Sequence, residues 1–145
     1  MYFVDREKIE ATLIFLEKQI NLLTSKEVWV TDIEKAAQER LVHMTIESIL
    51  DVGNSMIDGF IMRDPGSYED IIDILVDEKV ISEVNGHSLK DLIQCRKALV
   101  QLYTDIDHRE LYKQFSGGIQ ALSLFPNNIR DYLTNELGPV SAFKK

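Results

Sequence analysis

A chain of 145 residues fits one domain, since about 100–200 residues usually enclose a single core. With 45% apolar and 28% charged residues the composition excludes a disordered tail or a disulfide scaffold. Sixteen Lys+Arg against 24 Asp+Glu leave a net charge of −8, which excludes a global pull toward nucleic acid or an anionic membrane, so any phosphate site has to be local.

The lone cysteine, Cys95, can close no internal disulfide and builds no thiolate metal site. The opening residues meet charge at Asp5 and lack the basic and apolar regions of a secretory signal, and no run reaches the roughly 18 apolar residues of a membrane span. The expectation is a soluble, cytoplasmic protein with no membrane segment.

Apolar residues recur at helical spacing between turn signals, which predicts an all-α fold. The first helix starts with Asp5 as N-cap and runs to about Ser25, with Ile9, Leu13, Leu16, Ile20 and Leu23 as its apolar stripe. After a connection containing Trp29, Thr31 and Glu34 have capping-box spacing and open a long second helix to about Phe60. Arg63-Asp64-Pro65-Gly66 reads as a turn, and Ser67 caps a short third helix carrying Tyr68, Ile71, Ile72 and Leu75. Ser82 caps a fourth helix to about Tyr103, with Asn85-Gly86 as a weak point in its first turn. Asp107 and Glu110 launch a fifth toward Leu137, in which Gly117-Gly118 and Pro126 predict a bend or a split, before Gly138-Pro139 ends it. Short connections then give an antiparallel bundle of four long helices plus one short helix, a single domain over 1–145.

Two helices depart from the usual amphipathic pattern. On the second, Arg40, His43, Glu47, Asp51, Asn54 and Asp58 fall within an arc of roughly 80°, and nearly everything else is apolar or small. Such a helix packs on most sides and leaves one narrow polar stripe, either solvated or lining something. On the fourth, Arg96 falls within an apolar stripe beside Leu89, Leu92, Ile93, Leu99 and Val100. A guanidinium removed from water without a partner costs several kcal/mol, so Arg96 has to meet a carboxylate, a second chain or a phosphate. Glu47 and Asp51 are the nearest carboxylates if the second and fourth helices touch. Tyr103, seven residues on, falls two turns along the same face.

The segment Arg96-Lys97-Ala98-Leu99-Val100-Gln101-Leu102-Tyr103 resembles the Arg-x4-His-x-Tyr segment of the HepT-like branch of the HEPN superfamily. Glu47 to Asn54, the Asp64 to Tyr68 turn, Leu75 to Ile81 and Glu136 to Phe143 look like the YutE-type members of that family over nearly the whole chain. The resemblance implies a helical bundle that forms a two-fold homodimer, with the Arg/His segments of both chains facing across a cleft. It implies a metal-independent endoribonuclease toxin, without cofactor, whose partner is a small nucleotidyltransferase antitoxin that can transfer AMP to the motif tyrosine. Arg96 matches the arginine and Tyr103 the modified tyrosine. The histidine position holds Gln101, and the asparagine that often follows the arginine is replaced by Lys97.

That departure has chemical weight. Metal-free RNA cleavage needs one group to remove the 2′-hydroxyl proton, another to protonate the leaving oxygen, and a cation to steady the charge on phosphorus. Histidine can move either proton; a glutamine amide can move neither. Proton transfer contributes about 10²–10⁴-fold, so reduced activity is expected unless another group substitutes. His43 on the polar stripe is the best placed, whereas His87 and His108 fall near helix starts. Residues five apart diverge by roughly 140° on a regular helix, so Arg96 and Gln101 of one chain do not easily address one target, and a symmetric partner resolves this. Two readings follow: an RNA-cleaving toxin of reduced activity, or a non-catalytic dimeric RNA-binding or regulatory module that keeps the fold. A third, a purely structural dimer, turns on whether Arg96 is satisfied internally by Glu47 or Asp51.

Overall fold

Each helix start expected from a capping side chain is realised. In the computed structural model, which describes residues 2–138, Asp5 accepts the Lys8 backbone N–H and opens α1 (Arg6–Thr24). Thr31 and Glu34 form a reciprocal capping box at the head of α2 (Asp32–Gly59). Ser67 accepts from Asp70 N–H at α3 (Tyr68–Asp77), Ser82 from Asn85 N–H at α4 (Glu83–Ile93), and Asp107 from Arg109 and Glu110 N–H at α6 (His108–Gly117). Each such cap satisfies otherwise orphaned amides and contributes about 1 kcal/mol.

The remaining segments are α5 (Cys95–Gln101) and α7 (Ile119–Leu137). The described residues are therefore all-helical as expected, but they form seven segments rather than four long helices and a short one. The fourth expected helix is broken at Gln94 and ends at Gln101 instead of about Tyr103. The break re-aims the chain: α4 packs on α3 and α7, whereas α5 packs on α2. The fifth expected helix splits at Gly118, yet α7 continues through Pro126, which is buried beside Phe125 and Ile129. Gly138 closes α7 at φ 81°; Pro139 and the segment 140–143 lie outside the described residues.

Asn85-Gly86 is not the weak point its composition suggests. Gly86 is buried where α4 meets α3, and a Cβ there would stand 2.5 Å from Val76 Cγ2. The glycine is what allows the two helices to approach.

α2 is the spine, touching α1, α3, α5 and α6. Val42, Ile46, Ile49, Val52, Met56 and Ile57 are buried on it, and the buried hydroxyls of Thr45 and Ser48 donate to their own helix at Leu41 O and Met44 O. Its one open strip is the expected one: Arg40, Asp51, Asn54 and Asp58 are exposed, and His43 and Glu47 half-buried. Elsewhere Arg130 of α7 grips Glu10 and Glu17 of α1 through four hydrogen bonds of 2.7–3.1 Å, and Lys90 of α4 reaches Asp73 of α3 at 2.8 Å.

Candidate functional site

Where α5 lies against α2, the guanidinium of Arg96 meets the polar strip. Its Nε–H donates to Glu47 Oε1 at 2.6 Å, and its central carbon lies 4.4 Å from the centroid of the Tyr68 ring. His43, one turn before Glu47, brings Nε2 within 3.4 Å of the same Oε1. One carboxylate oxygen thus joins an imidazole to a guanidinium, with an aromatic face beneath the cation.

Of the two carboxylates the sequence offers for Arg96, the fold uses Glu47. Asp51, a turn further on, is exposed and makes no ion pair among the described residues, and Asn54 beyond it is exposed as well. The Glu47 bond holds the Arg96 guanidinium above the ordinary arginine range, against the opposing effect of burial. Side chains here are 26–29% exposed, so the cluster is reachable from solvent. Among the described residues neither terminal nitrogen of Arg96 has a hydrogen-bond partner, although Nε is occupied. A guanidinium held this way presents four remaining N–H groups to an incoming phosphate.

Tyr68 supplies the aromatic face from the start of α3. As the sequence predicts, it is carried by the short third helix; it is the first residue of α3, 48% exposed, with its ring turned to Arg96. The turn before it is fixed by Arg63, which grips Asp70 through two bonds of 2.8 and 3.0 Å, and by the Gly66 N–H donating to the same carboxylate at 2.8 Å. That network sets where α3 begins, and hence where the ring stands.

The other candidates lie apart from this cluster. Gln101 is the last residue of α5 and exposed; α5 is regular from Arg96 to Gln101, so the expected divergence of roughly 140° stands. Tyr103 is not two turns along the Arg96 face, because the helix has ended: it sits in the following turn, 65% exposed. His87 is exposed opposite Asp91. His108 opens α6 and pairs with Glu39 of α2 at 2.7 Å, a contact that spacing alone does not reveal. Burial, with Glu110 and Asp91 nearby, pushes the Cys95 thiol up and keeps it protonated, a poor nucleophile. No group of three or more metal-ligating side chains occurs among the described residues, and no helix there is long and apolar enough to cross a membrane.

The family model described as "Ribonuclease HepT-like" matches residues 9–129. The "Putative RNase YutE" of Bacillus subtilis (strain 168) is 58% identical over 144 residues, covering 99% of this chain and 100% of that protein. A solved structure described as the cytosolic protein of unknown function YutE from Bacillus subtilis superposes with a TM-score of 0.95 at 58% identity, covering 99% of this chain and 100% of the other. A second, described as a toxin-antitoxin with AMP-PNP, superposes with a TM-score of 0.72 at 14% identity over 86% of this chain and 96% of its own, a likeness of fold.

Proposed function

The chain belongs to the HepT-like ribonuclease family, and from that membership and the Arg96 cluster we propose that it is a metal-independent endoribonuclease of reduced activity, the toxin half of a toxin-antitoxin pair. The observation that carries the reading is the state of Arg96: anchored through Nε to Glu47, open at its terminal nitrogens and reachable from solvent. In this reading the guanidinium takes the scissile phosphate and stabilises charge as the 2′-oxygen, losing its proton, attacks phosphorus and the bond to the 5′-oxygen breaks, that oxygen leaving with a proton. Glu47 orients it, and Asp51 and Asn54 extend the polar strip along which RNA lies.

Gln101 supplies a hydrogen bond where the family pattern has a proton-transferring histidine. The imidazole of His43, tied to Glu47, is the nearby group able to exchange a proton, and accounts for the residual activity proposed. Tyr103, exposed just past α5, is the residue a nucleotidyltransferase antitoxin would modify, and a homodimer would bring Gln101 of one chain toward Arg96 of the other. The cytosol is the compartment, as is said of the similar Bacillus protein.

Incubation of the purified protein with mixed RNA in EDTA tests this. Slow cleavage by the wild type, loss with Arg96→Ala and a gain of about 10²–10⁴-fold with Gln101→His are expected. Efficient wild-type cleavage would show that Gln101 does not impair the site. RNA binding with no cleavage in either protein would leave a binding module that keeps the fold and has lost the chemistry.

A further inference from the structure

The surroundings of Arg96 are poor ground for a polyanion. Arg40 stands exposed on the strip, but Asp51 and Asp58 are exposed on it too, Glu47 holds the Nε–H of Arg96, and the whole chain carries a net charge of −8. Phosphate contacts normally supply most of the sequence-independent affinity for a nucleic acid strand. Here the local charges offset one another, so a strand held at Arg96 needs a further contact that does not run through charge.

Tyr68 offers one. The centroid of its ring lies 4.4 Å from the central carbon of the guanidinium, yet the residue remains 48% exposed, beside terminal nitrogens that have no hydrogen-bond partner among the described residues. The core does not require an aromatic at this position: α3 is held down by Ile71, Ile72, Ile74 and Leu75, all buried, and Tyr68 precedes them as the first helical residue. Its backbone is nevertheless firmly placed, by the Ser67 cap and by the Arg63 guanidinium and Gly66 N–H on Asp70. An exposed ring on a fixed backbone has only two side-chain torsions to lose on binding, so stacking against it is little opposed by entropy.

Every nucleobase has a π-face and stacks on an aromatic ring with little regard to sequence. A base inside a duplex already has both faces covered, whereas a splayed, unpaired base does not. We propose that Tyr68 is a specificity-determining residue of the Arg96 site: its ring stacks the base of a nucleotide whose phosphate Arg96 holds, and the site therefore takes unpaired RNA rather than duplex. This deepens the ribonuclease reading and rests on it for the choice of RNA as ligand. A ring that only steadied Arg96 would affect phosphate binding whether or not a base were present; a stacking ring acts only when the base is there.

The experiment uses that difference. The full chain is titrated in EDTA with a labelled short 2′-O-methyl oligoadenylate, which has no free 2′-hydroxyl and is not cut, with the same strand paired to its complement, and with the same backbone lacking bases. Fluorescence anisotropy reads the binding. The wild type should bind the single strand, and pairing should weaken binding about tenfold or more. Tyr68→Leu should weaken binding of the base-bearing strand by about tenfold, and Tyr68→Phe, which keeps the ring, should restore it. The strand without bases should bind wild type and Tyr68→Leu equally weakly. Should Tyr68→Leu fail to melt cooperatively, Tyr68→Gln replaces it with the same expectation. Undiminished binding of the base-bearing strand by the ringless variant, the same loss on the strand without bases, a duplex bound as tightly as the single strand, or no binding of the single strand by the wild type would overturn the proposal. Cleavage of mixed RNA is scored separately. Ring-dependent binding without wild-type cleavage removes the nuclease and leaves the stacking site; cleavage with KM unchanged in the ringless variant removes the stacking site and leaves the nuclease.

Discussion

The Oε1 atom of Glu47 accepts the Nε–H of Arg96 at 2.6 Å, tying α5 to α2 across 49 positions of sequence and fixing a cation in an otherwise apolar stripe. An arginine in such a stripe has two physical explanations, a strut that holds helices together or a clamp that holds something else, and they predict different mutants.

A clamp loses activity faster than stability. Arg96→Ala is expected to lower cleavage by about 10²–10³-fold, the scale of one lost charge-stabilising donor. Glu47→Gln keeps an acceptor oxygen but removes its charge, and should cost about tenfold. Both should cost only about 1 kcal/mol of folding stability, because the pair is partly solvated and screened. Thermal melts and initial rates on the same preparations decide the matter. A loss of several kcal/mol with Arg96→Ala would mark it as a strut.

That pair is legible in the sequence because it rests on a strong local contradiction, a guanidinium at an apolar helical position facing a strip of acids. The caps at Asp5, Thr31, Ser67, Ser82 and Asp107 are legible for a similar reason: each is a side chain competing for amides a few residues away. The break at Gln94 is not. Lys90 to Arg96 contains no Gly, Pro or Asn, and the chain turns there because α4 and α5 pack on different neighbours, information that is tertiary. The Tyr68 contact is hidden for the same reason: the sequence places the ring on the third helix but does not show the arginine that α5 brings to it. The bond from Gln38 Nε2 to His108 O depends on α2 meeting the start of α6, a contact between residues 70 positions apart that no spacing rule encodes.

The end of α5 carries the next prediction. Val100, Leu102 and Tyr103 are 39%, 56% and 65% exposed within four positions at the end of α5, beside the exposed Gln101. Covering them with a second copy would remove apolar surface from water and bring the two Arg96/Gln101 segments together. Light scattering at micromolar concentration should return twice the 16.7 kDa chain mass, and Leu102→Asp should shift it toward one chain. A single-chain mass for the wild type would remove the shared cleft.

Acid should loosen the turn that positions Tyr68. The Arg63 guanidinium, with the Gly66 amide, holds the Asp70 carboxyl down from its ordinary 3.8 to about 2. A carboxyl depressed in the folded state stabilises that state fully above its unfolded value and loses the contribution as pH falls toward the folded one. The melting temperature of the wild type should exceed that of Asp70→Asn by a constant margin above about pH 5, and the margin should shrink as pH falls from about 5 to 2. Glu34, also held at about 2 by Lys26 and the Thr31 and Val30 amides, titrates equally in both proteins and cancels in the comparison. A margin unchanged down to pH 2 would mean that the Arg63 bonds contribute nothing through the charge.

Two glycines should respond oppositely to the same methyl group. At Gly86 an added Cβ would lie 2.5 Å from Val76 Cγ2 and 3.5 Å from Ile72 Cγ2, both on branched side chains with little freedom to move. The α3–α4 contact must then open, and overpacking of this kind costs about 1–3 kcal/mol, more than the roughly 1 kcal/mol that alanine gains over glycine in helix propensity. Gly117, at the end of α6, has nothing within 4 Å of its added carbon. Alanine there meets no obstacle and restricts the unfolded chain, which should stabilise by about 0.4–1 kcal/mol. Denaturant melts of Gly86→Ala and Gly117→Ala should therefore move to opposite sides of the wild-type midpoint. A stabilised Gly86→Ala would show that α3 and α4 separate at little cost, and that the close approach of the two helices is incidental.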